Sequence, residues 1–320
     1  MSSPKSFAIG VDMGATTIKA GVVDYAGTIL DTEVSDTKAQ EGPPAVIRQI
    51  ARTVQALIDR HPILECAGIG IGAPGVVTVD DGVVHHPPNF VNWSDVDLIE
   101  PVRKKFSVPV FVENDANAAA IAEAKYGAGK EFKDFLFVIW GTGVGGGIIV
   151  NRSLYRGAFG GAGEIGHVSI DYNGPLCNCG SKGCIESYIG QRYLSQRTRH
   201  VLETRTGPPS RIIDLVEGNL DRIEPSVISR AAVEGDRIAS DILREAGELL
   251  GYALASILNV LDLRIAVIGG GISAAPQFVF DEIANSLRSR ILKPHQAGVR
   301  VLRAKLGNSA GIIGAASFVM

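Results

Sequence analysis

Apolar and polar positions along this 320-residue chain switch repeatedly between a period of two and a period near 3.6, and each switch predicts an element. The run Phe7-Ala8-Ile9-Gly10-Val11-Asp12 reads as an apolar strand that ends on an acid. A turn at Met13-Gly14-Ala15-Thr16-Thr17 returns the chain as a second strand over 18–24, and Ala26-Gly27 turns it into a third over 28–34. Pro43-Pro44 opens a helix in which Val46, Ile47, Ile50, Val54, Leu57 and Ile58 recur at helical spacing. Buried strands are expected over 67–71 and 110–113. Residues 114–125 combine a strong N-cap with an alanine-rich body, so they read as a helix.

The strand, Gly/Thr turn, strand pattern then recurs: 135–140 is a strand, Gly141-Thr142-Gly143 a turn, and 145–150 the returning strand. A long apolar helical period covers 236–261. After it come a strand over 264–268, the triplet Gly269-Gly270-Gly271, a helix near 276–291, a strand over 299–302 and a last helix after Asn308. The repeat predicts two related domains, and the length agrees, since a chain this long exceeds one comfortable core. The expected division is 1–115 with 307–320 against 116–306. Periodicity alone leaves α/β and α+β both open.

Charge and composition exclude several roles. A net charge of −3 and a pI near 6.1 carry no general nucleic-acid footprint. The longest uncharged apolar stretch, 249–261, is shorter than the about 20 residues a bilayer span requires. It includes Gly251, Tyr252, Ser256 and Asn259, so it reads as a buried core helix with no membrane partner. The start Met1-Ser2-Ser3-Pro4-Lys5 lacks a cationic n-region, an apolar h-region and a cleavage site, which predicts a cytoplasmic protein.

Three thiols, Cys177, Cys179 and Cys184, fall within eight positions and are joined by glycines, with His167 ten residues upstream in Glu164-Ile165-Gly166-His167. Cys₃His is a complete tetrahedral zinc set. One disulfide plus a free thiol is the alternative, but it needs an oxidising compartment, and an odd number of clustered thiols favours metal. Cys66, alone in an apolar run, reads as a buried structural residue. Glu186 follows the last cysteine by two residues, so a metal knot would hold that acid rigidly.

The pattern C-x-C-G-x-x-G-C-x-E, with E-x-G-H before it, resembles the signature of the ROK sugar kinases (repressor, open reading frame, kinase). The resemblance runs from Asp12 to the ending Leu306-Gly307-Asn308-Ser309-Ala310-Gly311 and beyond. It implies an α/β ribonuclease H-like, actin-type ATPase fold, with two α/β domains around a cleft. Asp12-x-Gly14-x-Thr16 followed by Lys19 resembles the phosphate-1 loop, which makes Asp12, Gly14, Ala15, Thr16, Thr17 and Lys19 candidates for contacting ATP. Gly14 would let the backbone approach a polyanion, and Asp12 would hold Mg²⁺ through water. Gly141-Thr142-Gly143 resembles the second phosphate loop, and five glycines in seven residues (141–147) suit a phosphate cradle of backbone amides. Gly270 and Gly271 resemble the adenosine-binding turn. An ordinary hairpin and a strand-to-helix loop are the bland readings of the first and last of these.

Glu113-Asn114-Asp115-Ala116-Asn117 resembles the family segment that carries the catalytic base, Asp115. Helix capping by Asn114 or Asp115 is the alternative, and the two roles are compatible. A helix N-terminus also favours an ionised carboxylate. By resemblance the sugar site comprises Gly75 of Gly70-Ile71-Gly72-Ala73-Pro74-Gly75, Asn114, Asp115, Glu164, His167 and Glu186. Asn89, in an expected loop over the cleft with Pro88 and Trp93, is a further candidate. His85 and His86 are expected to be exposed.

These residues predict an ATP-dependent hexokinase, glucokinase first, with Mg²⁺ and one structural zinc, and the resemblance implies a homodimer or homotetramer. Sugar-responsive repressors of the same family carry a helix-turn-helix module, for which a first strand at about Phe7 leaves no room. Filament and chaperone ATPases do not explain the Cys/His set. Glucose, fructose, mannose, N-acetylglucosamine and N-acetylmannosamine stay open as acceptors. So does polyphosphate as donor.

Overall fold

Strand β1 (Phe7–Met13) is buried along almost its whole length, which is why it reads as a continuous apolar run rather than an alternation. The structure, a computed structural model, describes residues 6–320. The leader-free reading of residues 1–5 lies outside the described residues. Strands β2 (Thr17–Asp24) and β3 (Ile29–Asp36) follow as an antiparallel meander. Both strands are longer than the sequence pattern suggests, because β3 is half-exposed and its alternation extends into polar residues.

Helix α1 (Pro43–Ile58) has proline at its first positions and buries Val46, Ile50, Val54 and Leu57. It leads to β4 (Cys66–Ala73), parallel to β1 and wholly buried. Then comes a feature the sequence pattern did not reveal, a small sheet of β5 (Val76–Thr78), β6 (Val83–His85) and β7 (Asp95–Asp97). Runs of three residues are too short to show a period. This sheet corrects two expectations. Trp93 is core, with its Nε1–H donating to Val84 O at 3.1 Å, and His85 is half-buried, its nitrogens 2.7 Å from Thr78 Oγ1 and 2.6 Å from Asp95 Oδ1. His86 is exposed as expected.

Helix α2 (Ile99–Phe106), strand β8 (Val110–Asn114) and helix α3 (Asp115–Tyr126) complete this run, and the first sheet has the order β3-β2-β1-β4-β8. Strands β9 (Phe135–Trp140), β10 (Val144–Val150) and β11 (Ser153–Tyr155) come next. They are followed by helices α4 (Glu186–Ile189), α5 (Gln191–Thr204), α6 (Arg211–Leu215), α7 (Pro225–Val233) and α8 (Arg237–Leu261). Strand β12 (Ile265–Gly269), helix α9 (Gln277–Arg290), strand β13 (Arg300–Arg303) and helix α10 (Ala310–Ala316) end the chain. The second sheet, β11-β10-β9-β12-β13, repeats the antiparallel-then-parallel scheme. The expected α/β class is therefore observed. No helix among the described residues is long and apolar enough to cross a membrane.

Two compact units divide the described chain. One holds the residues up to Lys133, Gly147–Gly163 and Asn308–Met320; the other holds Asp134–Gly146 and Glu164–Gly307. Helix α3, placed after the boundary by the sequence pattern, therefore groups with the first unit. The reason is backbone contact. A Cβ on Gly314 of α10 would overlap Ala118 O of α3, and Cβ atoms on Gly10 and Gly70 would overlap Ile312 O and Ala315 O. Helix α10 thus lies directly on β1 and β4 and directly beside α3, at a distance only glycine permits.

Gly314→Ala is expected to lower stability, since overpacking a close contact costs about 1–3 kcal/mol. At roughly 2–4 °C per kcal/mol for domains of comparable size, a melting curve should show the loss clearly. An unchanged melting temperature would contradict the close approach.

Candidate active site

The β1–β2 hairpin holds its turn by backbone and by one buried threonine. Gly14 N–H donates to Thr17 O at 3.0 Å, Thr37 Oγ1–H donates to Gly14 O at 2.6 Å, and Thr37 N–H donates to Thr16 O at 2.9 Å. Thr37 is fully buried, and nothing in the sequence pattern pointed to it. Ala15 and Thr16 form the outer part of the turn, and Thr16 is exposed. Asp12 stands opposite Lys19 across the strand pair. Burial raises the Asp12 carboxyl above the ordinary carboxylate range, and the Lys19 ammonium pulls it back. A Cβ on Gly311 would come within 2.8 Å of Asp12 Cγ, so this carboxylate rests against bare backbone at the start of α10.

At the β8–α3 junction the capping question resolves in favour of Asn114. Its Oδ1 accepts from Asn117 N–H at 3.0 Å, and its Nδ2 donates to Gly75 O at 2.9 Å. Asp115 is the first helical residue, with Oδ1 accepting from Ala116 N–H at 2.7 Å. Gly75 itself turns at a φ of 86°, where an L side chain is strained, and a Cβ there would stand 3.0 Å from His85 O. Gly75, Asn114 and Asp115 are therefore brought together. Asn89 is exposed at a φ of 69°, and its backbone carbonyl accepts from Gln40 Nε2 at 3.3 Å.

Beneath this junction lies an ion pair between a buried acid and a half-buried arginine that the sequence did not reveal. Glu113 is fully buried. Its Oε1 accepts from Asn114 N–H at 2.9 Å and Asn117 Nδ2 at 3.1 Å, while its Oε2 accepts from Arg156 Nε at 2.7 Å. An acid closing an apolar strand was the available signal. Its partner, 43 residues away, had none. The pair fixes the strand end from which Asn114 and Asp115 project.

In the second unit, Gly141 N–H donates to Gly143 O at 2.9 Å, and Gln191 N–H at the start of α5 reaches Gly141 O and Thr142 O. Gly270, at a φ of 82°, presses on Trp140 O where a Cβ would overlap it. Gly271 has open space, and a Cβ on Gly141 would still be 3.8 Å from Gly271 N. Both glycine turns thus border one cavity of about 500 Å³, whose other walls include Trp140, Gln191, Ile272 and, from α7, Ser229 and Val233. The α7 wall carries no motif, which is why the sequence did not announce it.

The Cys/His cluster is assembled as its spacing predicts. A ring nitrogen of His167 and the Sγ atoms of Cys177, Cys179 and Cys184 all lie within 4.8 Å of one another. His167 Nδ1 is 3.8 Å from Cys177 Sγ, and Cys179 Sγ is 3.7 Å from Cys184 Sγ. A tetrahedron with metal–sulfur bonds of about 2.3 Å has edges of about 3.8 Å, which these two separations match, so the donor set suits a zinc-sized ion. None of the four cysteines is in a disulfide, and Cys66 is buried, its Sγ–H donating to Gly68 O at 3.2 Å. Burial pushes the Cys177 thiol up and the Cys184 thiol up to about 12, whereas the backbone at Ser181 holds Cys179 down.

The other face of His167 meets the acids. Nε2 is 3.9 Å from Glu164 Oε2, and partial burial raises the Glu164 carboxyl, with His167 lowering it and Glu186 raising it. Glu186 opens α4. Its Oε1 is 4.0 Å from Cys177 Sγ, and its Oε2 accepts from Val144 N–H at 2.9 Å. Glu164, His167 and Glu186 therefore form one acidic, imidazole-bearing patch on the rim of the cluster.

The profile of the ROK family matches residues 8–320. A glucokinase of Streptomyces coelicolor is 39% identical over 312 residues, 96% of each chain. A glucokinase of Thermotoga maritima is 34% identical over 316 residues, covering 99% of this chain and 98% of the other. The crystal structure of a ROK family glucokinase from Streptomyces griseus in complex with glucose and AMPPNP superimposes with a TM-score of 0.87 at 37% identity, covering 98% of both chains.

Proposed function

The chain belongs to the ROK family, and from that premise we propose that it is an ATP-dependent hexokinase that converts glucose to glucose 6-phosphate. The observation that carries the reading is Glu186, whose carboxylate stands between the Cys/His cluster and the second glycine loop. A sugar site beside a phosphate site is what phosphoryl transfer to a hexose requires.

In the first unit, Asp115 is the general base and accepts the 6-hydroxyl proton as that oxygen attacks the γ-phosphorus. Phosphoryl transfer has a loose transition state, so the proton moves late and an ionised carboxylate suffices. The Glu113–Arg156 pair and the Asn114 cap hold the base in place. Asp12 would hold the Mg²⁺ that accompanies ATP, and the Gly14–Lys19 turn would face the phosphates with Ala15, Thr16 and Thr17. Gly75, Asn89 and Asn114 contribute to hexose binding.

In the second unit, Glu164 and Glu186 accept from sugar hydroxyls. His167 would hold zinc through Nδ1 with Cys177, Cys179 and Cys184, leaving Nε2–H to donate to a hydroxyl. Zinc would supply rigidity to this corner. Gly141, Thr142 and Gly143 cradle phosphate, and Gly270 and Gly271 border the adenosine. The cavity against Trp140 and Ile272 suits a flat uncharged base, and Arg230 on its wall is engaged by Glu234 at 3.0 Å. A nucleoside triphosphate is therefore a better match than bare polyphosphate.

Asp115→Asn tests the base. An asparagine oxygen can still accept from Ala116 N–H, so folding should survive, while kcat should fall by about 10²–10⁴-fold, or roughly 3–5 kcal/mol of barrier. Glucose affinity should move far less. A variant with near-normal kcat would reduce Asp115 to a helix-start residue.

Elemental analysis tests the metal. About one zinc per chain is expected, and Cys179→Ser should lower zinc content, melting temperature and glucose affinity together. Zinc-free protein with three titratable thiols at the cluster would refute the site.

A further inference from the structure

The second glycine loop has one position where the missing side chain is explained by the protein itself. A Cβ built on Gly143 would stand 2.5 Å from Glu186 Oε2 and 3.4 Å from its Cδ. The neighbouring residue, Val144, donates its N–H to that same Oε2 at 2.9 Å. Gly141 differs, because a Cβ there would meet nothing nearer than 3.8 Å. The middle of the loop is therefore shaped around the Glu186 carboxylate. The opposite oxygen, Oε1, faces Cys177 Sγ at 4.0 Å, on the side where Glu164 and His167 lie.

We propose that Glu186 couples the two substrates, its Oε2 bracing the glycine loop through Val144 N–H while its Oε1 takes a hexose hydroxyl, so that each substrate tightens the binding of the other. The proposal rests on the hexokinase reading and adds its regulation. A carboxylate is planar, so fixing one oxygen fixes the other. The turn Gly141-Thr142-Gly143, just before β10, carries two glycines, and glycine loses more backbone entropy on ordering than any other residue. A hexose that immobilises Oε1 lowers the part of that cost borne by nucleotide binding. Linkage then requires the nucleotide to tighten hexose binding by the same factor.

Gly143→Ala separates this coupling from ordinary loop damage. Gly143 does not have the positive φ that strains an L residue, and the only atoms a Cβ meets belong to the flexible tip of Glu186. The chain should therefore fold and keep its zinc, with the carboxylate pushed out of place. Glucose affinity is to be titrated calorimetrically with the full chain, with no nucleotide present and again with saturating AMPPNP and Mg²⁺. For the unsubstituted chain, AMPPNP should tighten glucose about 5-fold or more, within the usual range of coupling between sites. In Gly143→Ala, glucose alone should bind roughly tenfold more weakly, the scale of a lost charge-assisted hydrogen bond, and the AMPPNP effect should vanish.

Glucose affinity unaltered in Gly143→Ala, or AMPPNP without effect on glucose in the unsubstituted chain, would overturn the coupling and leave the kinase reading standing. Failure of the unsubstituted chain to bind glucose at all would overturn both. Should Gly143→Ala not fold, Glu186→Asp serves instead. One methylene shorter, it cannot span from α4 to Val144 N–H. In the same two titrations it should weaken glucose and abolish the AMPPNP effect, and unaltered glucose affinity would again overturn the coupling.

Discussion

Carboxylates seated against bare backbone are the constraint on which the site depends. Asp12 lies where a Cβ on Gly311 would touch it, Glu186 lies where a Cβ on Gly143 would touch it, and the buried Glu123 lies against Gly127 in the same manner. A partly buried carboxylate needs close hydrogen-bond donors or cations, and it loses them if the packing moves it by an ångström. Glycine supplies both the room and an approachable amide. The same device sets the larger frame of the first unit, since α10 reaches β1, β4 and α3 only at glycines. Asp12 and the start of α3 inherit their positions from that packing.

Much of this was legible in the sequence, for identifiable reasons. The long helices α1 and α8 span several turns, so their apolar periods stand clear of noise, while β1 is legible as a continuous apolar run and α3 by its cap and alanine content. The Cys/His set was legible because its members are close in sequence and chemically distinctive, and the structure brings the four donors together. What stayed hidden depends on partners far along the chain. Arg156 is inconspicuous until it is found 2.7 Å from Glu113, and Thr37 is a surface residue by composition but wholly buried by tertiary contact. The β5–β7 sheet escaped because three-residue strands carry no period, and with it went the correct surroundings of His85 and Trp93. Expecting the domain boundary at 115 failed to foresee that a helix can follow one strand and still pack on elements from the chain's end.

The two units divide the chemistry by the type of donor each can hold rigidly. The first presents carboxylates at strand ends, Asp12 on β1 and Asp115 just beyond β8, where a parallel sheet leaves its C-terminal edge for ligands. The second presents backbone amides and a cross-linked corner. Short helices such as the four-residue α4 have little stability of their own, so Glu186 would be poorly placed without the cluster that precedes it. A metal at that cluster would therefore serve the proposed sugar site through geometry rather than charge transfer.

Phosphoryl transfer from ATP to the 6-hydroxyl of a hexose, glucose foremost, is the chemistry to which all of this geometry leads. It is tested most directly by measuring ADP release with Mg-ATP in the presence of glucose, mannose, fructose, N-acetylglucosamine or N-acetylmannosamine, with phosphorus NMR locating the phosphoester in the product. Turnover should be fastest with glucose, absent without a sugar, and should give the 6-phosphate. ADP release that is the same with and without every sugar, or no release with any of the five, would contradict the assignment.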